Sequence, residues 1–194
     1  MVLRRVQSRV PSAHVRGGER VSESRIRIGV SACLVGEKVR YDGGHKLDPY
    51  VTGELAGRFE LVPVCPEAEV GMGTPRETVR LEGAAAAPRM IAPGTGADWT
   101  ARMNDFAQRR VRELAGLDLC GFVLKRNSPS CGVCGVEVRG DDGRVTLDGR
   151  GLFAAALTRA IPLLPVEEEG RLADPATRED FVRKVLAYAA GRDA

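Results

Sequence analysis

The 194-residue chain is 43% hydrophobic, 28% charged and only 5% aromatic, which suits one α/β domain whose core is built mostly of Val, Leu, Ile and Ala. No apolar run reaches the roughly 18 residues of a membrane-spanning helix. The net charge of +3 belongs to residues 1–24, where five arginines (Arg4, Arg5, Arg9, Arg16, Arg20) face two glutamates; the remaining 24 basic and 24 acidic side chains cancel, leaving no electrostatic footprint for nucleic acid.

Residues 1–24 are polar and without periodicity. Arg4-Arg5 is followed by no apolar stretch, which excludes a twin-arginine export signal. The segment reads as a disordered, Arg-rich extension or an over-long gene start, ahead of a single domain over 25–191.

From Arg25 strands and helices alternate. RIRIGVSAC, Arg25 to Cys33, reads as a first strand ending in a small-residue turn. Asp48 as N-cap with Pro49 at the first helical position opens a helix to about Gly57. FELVPVC, Phe59 to Cys65, is a short buried strand. The Gly-, Pro- and Ala-rich stretch 71–96 reads as loops with one small β-hairpin, Glu77–Leu81 against Arg89–Ile91. Met103, Phe106, Ala107, Val111 and Leu114 recur at helical spacing within Trp99–Ala115. LCGFVLK, Leu119 to Lys125, is another buried strand. After the loop bearing Cys131, Val136–Arg139 is strand-like and a polar connection runs over Gly140–Gly151. A helix over Leu152–Ile161, a strand at Leu163–Glu167 and a helix opened by Asp174-Pro175 complete the chain. This order predicts a mainly parallel sheet with helices on both faces.

Five cysteines (Cys33, Cys65, Cys120, Cys131, Cys134) without a signal peptide point to the cytoplasm, where disulfides are uncommon. In parallel α/β sheets the functional loops gather beyond the carboxyl ends of the strands. Three predicted strands end at or shortly before a cysteine: Cys33, Cys65 and Cys131. Each alone can be a small core residue. All three, however, sit on Gly- or Pro-flanked turns, where thiolates find access and backbone N–H groups. Together they predict one constellation at a single sheet edge.

Three thiolates suit zinc, with Cys134 or His45 as a fourth ligand, or an iron–sulfur cluster. A four-iron cube held by three cysteines leaves one iron open as a Lewis acid, to which soft sulfur is well matched. Glu67, just after the Cys65-Pro66 turn, is placed to move protons there, or to cap the turn. Ser128 can donate into the same space or serve the turn beside Pro129. Lys125 ends a strand at the site edge, where it can hold an anionic sulfur or a substrate oxygen, or simply be solvated. Asp42, in Tyr41-Asp-Gly-Gly44, is a turn residue and a candidate for lining the site. Cys120 opens an apolar strand and reads as core. Cys131-x-x-Cys134 is compatible with a redox dithiol, a spare ligand or a plain turn.

The residues now quoted, with SACLVG from Ser31, VRYDGG from Val39, PVCPE from Pro63 and GMGTPRE from Gly71, form an ordered set. It continues with GADWT from Gly96, FVLKRNSPSCG from Phe122, GRGLFAAAL from Gly149 and PVEEEGRL from Pro165. The set resembles the bacterial domain-of-unknown-function 523 family over about Arg25 to Tyr188. That family includes thiouracil desulfidases, so the resemblance implies a [4Fe-4S] cluster held by Cys33, Cys65 and Cys131 with one iron free. It also implies Glu67 as the acid/base carboxylate and Ser128 as the assisting hydroxyl. Cys120 and Cys134 are extra to the pattern.

The resulting expectation is an iron–sulfur-dependent enzyme that removes sulfur from a small thiocarbonyl compound, such as a thiolated nucleobase, and releases sulfide. Lys125 and Asp42 would bind the substrate, with neither nucleic acid nor membrane as partner. Three rival readings remain. One is another enzyme on an open-iron cluster, a dehydratase or sulfur-transfer protein. The others are a structural zinc protein and a disulfide oxidoreductase acting through Cys131 and Cys134.

Overall fold

The computed structural model describes residues 26–191. The extension predicted over 1–24 lies outside them. Strand β1 (Arg27–Ser31) runs straight into a 3-10 turn, Ala32–Val35. Asp48 opens the next helical stretch as expected, its Oδ1 accepting from the Val51 N–H at 3.0 Å. That stretch is a π-type segment, Val51–Leu55, running into α1 (Ala56–Arg58). Strand β2 (Glu60–Val64) leads into a second π-type segment, Ala68–Met72. Then come β3 (Arg80–Glu82), β4 (Arg89–Ile91), α2 (Thr100–Ala115) and β5 (Leu119–Leu124). The chain finishes with β6 (Val136–Arg139), β7 (Val145–Gly149), α3 (Leu152–Ala160), β8 (Val166–Glu168) and α4 (Pro175–Ala190).

Four strands form a wholly parallel sheet in the order β2-β1-β5-β8. Every residue of the central strand β5 is buried, as a strand covered on both faces requires. On one face Ile28, Val30 and Val123 pack with Val51, Leu55 and Phe59 and with Phe181, Val182 and Val185 of α4. On the other, Val64, Phe122 and Leu124 pack with Met103, Phe106, Val111 and Leu114 of α2 and with Phe153 and Leu157 of α3. Burial of each such side chain contributes about 1.5–3 kcal/mol. The mainly parallel sheet with helices on both faces is therefore the observed architecture.

The pairing of β1 with β5 slips between Arg27 and Gly29, which face Leu119 and Phe122. One extra residue of β5 is accommodated there as a bulge. The bulge lets Phe122 lie over β1, and only a glycine at position 29 leaves room: a Cβ there would fall 2.2 Å from the Phe122 ring. Phe122 in turn meets Phe153 of α3 edge-on, with ring centroids 6.0 Å apart.

Three details differ from expectation. The small hairpin is present, β3 and β4 pairing antiparallel, but its first strand is Arg80–Glu82 rather than the expected Glu77–Leu81, and the pair forms half of a second sheet ordered β4-β3-β6-β7. The polar connection after Gly140 carries β7, where Val145 and Leu147 alternate with Thr146 and Asp148, a two-residue signal too short to stand out in a polar, Gly-marked run. The strand expected at Leu163–Glu167 is Val166–Glu168. It starts after Pro165, which has no N–H to offer a ladder. Among the described residues, no helix is long and apolar enough to cross a membrane.

Candidate active site

Because β2, β1 and β5 are adjacent and parallel, their carboxyl ends deliver three cysteines to one edge of the sheet. Cys33 lies on the 3-10 turn after β1. Cys65 sits between β2 and the helical turn that follows, and its N–H donates to Glu69 Oε1 at 2.8 Å. Glu69 is in turn anchored by Arg110 of α2, 2.9 Å away. Cys131 lies in the loop after β5, which is clamped by the start of α3. The Gly151 N–H donates to the Gly132 carbonyl, that of Leu152 to Pro129, and those of Phe153 and Ala154 to Ser130.

A cavity of about 360 Å³ opens at this edge. Cys33, Cys65, Cys131, Glu67, Ser128 and Lys125 all line it, so the fold brings together six of the seven residues singled out in the sequence. Asp42 is not among its lining residues. Its Oδ1 accepts from the Gly44 N–H at 3.0 Å and lies 3.5 Å from Arg40, which is turn chemistry. Lys125 is also engaged, with Nζ 2.6 Å from Glu169 Oε1, so its charge reaches the cavity already paired. Cys134 is exposed and Cys120 is buried near the start of β5, and neither lines the cavity.

All three cavity cysteines are free thiols whose ionisation the surroundings oppose. Burial, and then the charge of Cys65, push the Cys33 thiol up to about 11. Burial holds Cys131 well above the usual thiol range against a hydrogen bond from Ser31, and Glu67, Cys65 and Cys33 add to the rise. Cys65 is raised by burial, with the Ala68 N–H opposing it. Cys33 feels the charge of Cys65, and Cys131 that of both, so added positive charge among them would favour the thiolates. A metal ligated there would supply that charge and release the protons. Among the described residues, no three His, Cys, Asp or Glu side chains converge closely enough to share a single metal ion. Three thiols on one cavity are a donor set that fits a four-iron cluster with one iron left open.

Glu67 faces the cavity with both oxygens engaged. Arg76 reaches Oε2 through Nε at 3.1 Å and a terminal nitrogen at 2.6 Å. Ser130 Oγ donates to Oε1 at 2.8 Å, and Ser128 Oγ stands 3.4 Å from the same oxygen. Ser128 Oγ also accepts from the N–H groups of Ser130 and Cys131, at 3.2 and 3.1 Å. Arg76 and Ser130 escaped the sequence reading, as did Ser31, whose Oγ accepts from the Lys125 N–H at 2.9 Å. The available signal for Arg76 was weak: an arginine beside Glu77 in the Gly- and Pro-containing run after Cys65-Pro-Glu, with Arg80 and Glu82 close behind.

Comparison with known proteins decides the family. The family model described as 2-thiouracil desulfurase matches residues 28–169. The chain belongs to that 2-thiouracil desulfurase family. The matched span contains all three cavity cysteines together with Glu67, Arg76 and Ser128. Among family relatives, the uncharacterized protein YbbK of Bacillus subtilis (strain 168) is 30% identical over 136 residues, 68% of this chain and 89% of YbbK. A solved [4Fe-4S]-dependent thiouracil desulfidase, TudS (DUF523Vcz), superposes with a TM-score of 0.61 at 28% identity, covering 80% of this chain and 99% of its own. That match agrees with the domain-of-unknown-function 523 resemblance seen in the motifs.

Proposed function

We propose that the protein is a [4Fe-4S]-dependent desulfidase that converts a small thiocarbonyl compound of the thiouracil type to its carbonyl counterpart and releases sulfide. The observation that carries this reading is the convergence of Cys33, Cys65 and Cys131 on one cavity that also presents Glu67. The likeness to TudS supports the same cluster on the same scaffold. When bound through the three cysteines, the cluster would supply an open iron as a Lewis acid matched to soft sulfur.

The remaining chemistry falls to the chain's own groups. Water adds to the thiocarbonyl carbon as the bonds from carbon to sulfur break, so a thiocarbonyl and water become a carbonyl and hydrogen sulfide with no change in oxidation state overall. Glu67 takes the two protons of water in turn at Oε1, the first as water adds and the second as the carbonyl forms, and passes each to the leaving sulfur. Ser128, whose two N–H partners hold its oxygen in place, directs its hydroxyl toward that carboxylate and orients the substrate beside it. Lys125, steadied by Glu169, adds a positive wall next to Cys33. The cavity is of a size for a small heterocycle.

The test is anaerobic purification, reconstitution with iron and sulfide, and assay of sulfide released from 2-thiouracil. A brown protein that releases sulfide is the expected result. A brown protein active on hydroxy acids but on no thiocarbonyl would overturn the desulfidase reading. A colourless protein carrying stoichiometric zinc would overturn the cluster as well.

A further inference from the structure

Glu67 is a weakly constrained residue by sequence, immediately before the short π-type segment Ala68–Met72, yet its carboxylate is among the most tightly held groups of the site. Arg76 is the reason. Its side chain is only 6% exposed. Nε and one terminal nitrogen bind Glu67 Oε2, and the other terminal nitrogen donates to the carbonyls of Val39 at 2.8 Å and Gly73 at 2.9 Å. The Arg76 backbone N–H is bound as well, to the Tyr41 carbonyl at 2.9 Å. A planar guanidinium with every nitrogen committed has no freedom to follow a moving carboxylate. The carboxylate must therefore follow it.

The two oxygens of Glu67 are thereby made unequal. Oε2 faces two N–H donors of a permanent cation. Oε1 is held by Ser130, which is fully buried and is not a cavity-lining residue, and it faces Ser128, which is. Resting on the desulfidase reading above, we propose that Arg76 is the positioning residue of Glu67. With Ser130 behind the carboxylate, it reserves Oε1 for the proton exchanged with the substrate. Arg76 itself makes no contact with the reacting atoms. Its effect is carried by orientation, and a misplacement of about 1 Å at such a group costs on the order of 100-fold in rate.

The experiment uses the full chain with R76M, R76K and S130A. The first readout is taken on metal-free protein: the carbon-13 carboxyl resonance of Glu67, assigned by its loss in E67Q. It should move in R76M and largely return in R76K, where an ammonium restores one of the two bonds. The second is sulfide release from 2-thiouracil by anaerobically loaded protein. R76M should lower kcat on the order of 100-fold with KM held within about twofold and iron content at the wild-type level, and R76K should recover about tenfold of that loss. A Glu67 resonance unmoved in R76M overturns the proposal. So does a rise in KM at unchanged kcat, which would make Arg76 a substrate contact, or a loss of iron at unchanged kcat per cluster, which would make it only a tie between loops. If R76M does not fold, S130A decides: kcat down about tenfold with KM and iron unchanged supports the clamp, and wild-type kcat overturns it. A wild type that releases no sulfide counts against the desulfidase reading, while the carboxyl resonance still decides whether Arg76 holds Glu67.

Discussion

At the scale of single residues, chemistry divides the five cysteines cleanly. Cys33, Cys65 and Cys131 line the cavity, whereas Cys134, only three positions beyond Cys131, is exposed and Cys120 is buried near the start of β5, away from the carboxyl edge. The Cys-x-x-Cys spacing suggested a redox dithiol, but Gly135 takes a left-handed turn at φ 64° right after Cys134 and leads the chain away into β6. Replacing Cys134 by serine should leave iron content, acid-labile sulfide and sulfide release at the wild-type level. Alanine at 33, 65 or 131 should each reduce iron to background, since two thiolates cannot hold the cube. Iron and sulfide analysis of anaerobically reconstituted variants checks both, and retention of a full cluster by any of the three alanine variants would remove that residue from the ligand set.

At the scale of elements, the position of Cys131 depends on how closely α3 approaches the loop after β5. Gly151 precedes α3 with φ −62°, a conformation open to any residue, so backbone freedom is not why glycine stands there. Space is the reason. A Cβ at 151 would lie 2.4 Å from the Ser130 carbonyl carbon and 2.7 Å from the Cys131 nitrogen, and backbone cannot rotate aside as a side chain can. G151A should cost about 1–3 kcal/mol in the metal-free protein and displace Cys131, lowering iron retention as well. Urea melts and iron analysis read the two effects. G53A, where an added Cβ meets nothing within 4 Å, serves as the control and should lose neither.

At the scale of the whole molecule, the edge of the parallel sheet carries a stability term that depends on pH. Cys33 binds its proton up to about 11 in the folded protein, against 9.0 for a free thiol. Below pH 9 both folded and unfolded chains hold that proton and the term is fully present. Above it the unfolded chain ionises first, so the folded state of the metal-free protein loses stability between about pH 9 and 11. A shift of this size is worth on the order of 2–3 kcal/mol, and the raised Cys131 and Cys65 add loss in the same direction. Iron ligation, as proposed, would reverse the sign of the problem by stabilising thiolates. Thermal melts from pH 8 to 11 should therefore show a falling midpoint for the metal-free form and a much flatter one for the loaded form. Parallel decline of both would refute this account.

The strands and helices that deliver the site were legible because their signals are local. Ile28, Val30 and the Leu119–Leu124 run mark buried strands, the Met103-to-Leu114 spacing marks α2, and Asp174 caps α4 by accepting from the Thr177 N–H at 2.9 Å. Turns rich in Gly and Pro placed Cys33, Cys65 and Cys131 at strand ends, and the parallel-sheet rule put those ends on one edge. Strand order was not local information. The arrangement β2-β1-β5-β8, the bulge that seats Phe122 over Gly29, and the recruitment of β6 and β7 into the second sheet depend on which surfaces fit once all are present. The same holds within the site. Sequence placed Glu67 beside a cysteine, but only the tertiary structure brought Arg76 onto one of its oxygens and Ser130 onto the other. Pairing of polar groups in a buried site follows three-dimensional proximity, which no spacing along the chain encodes.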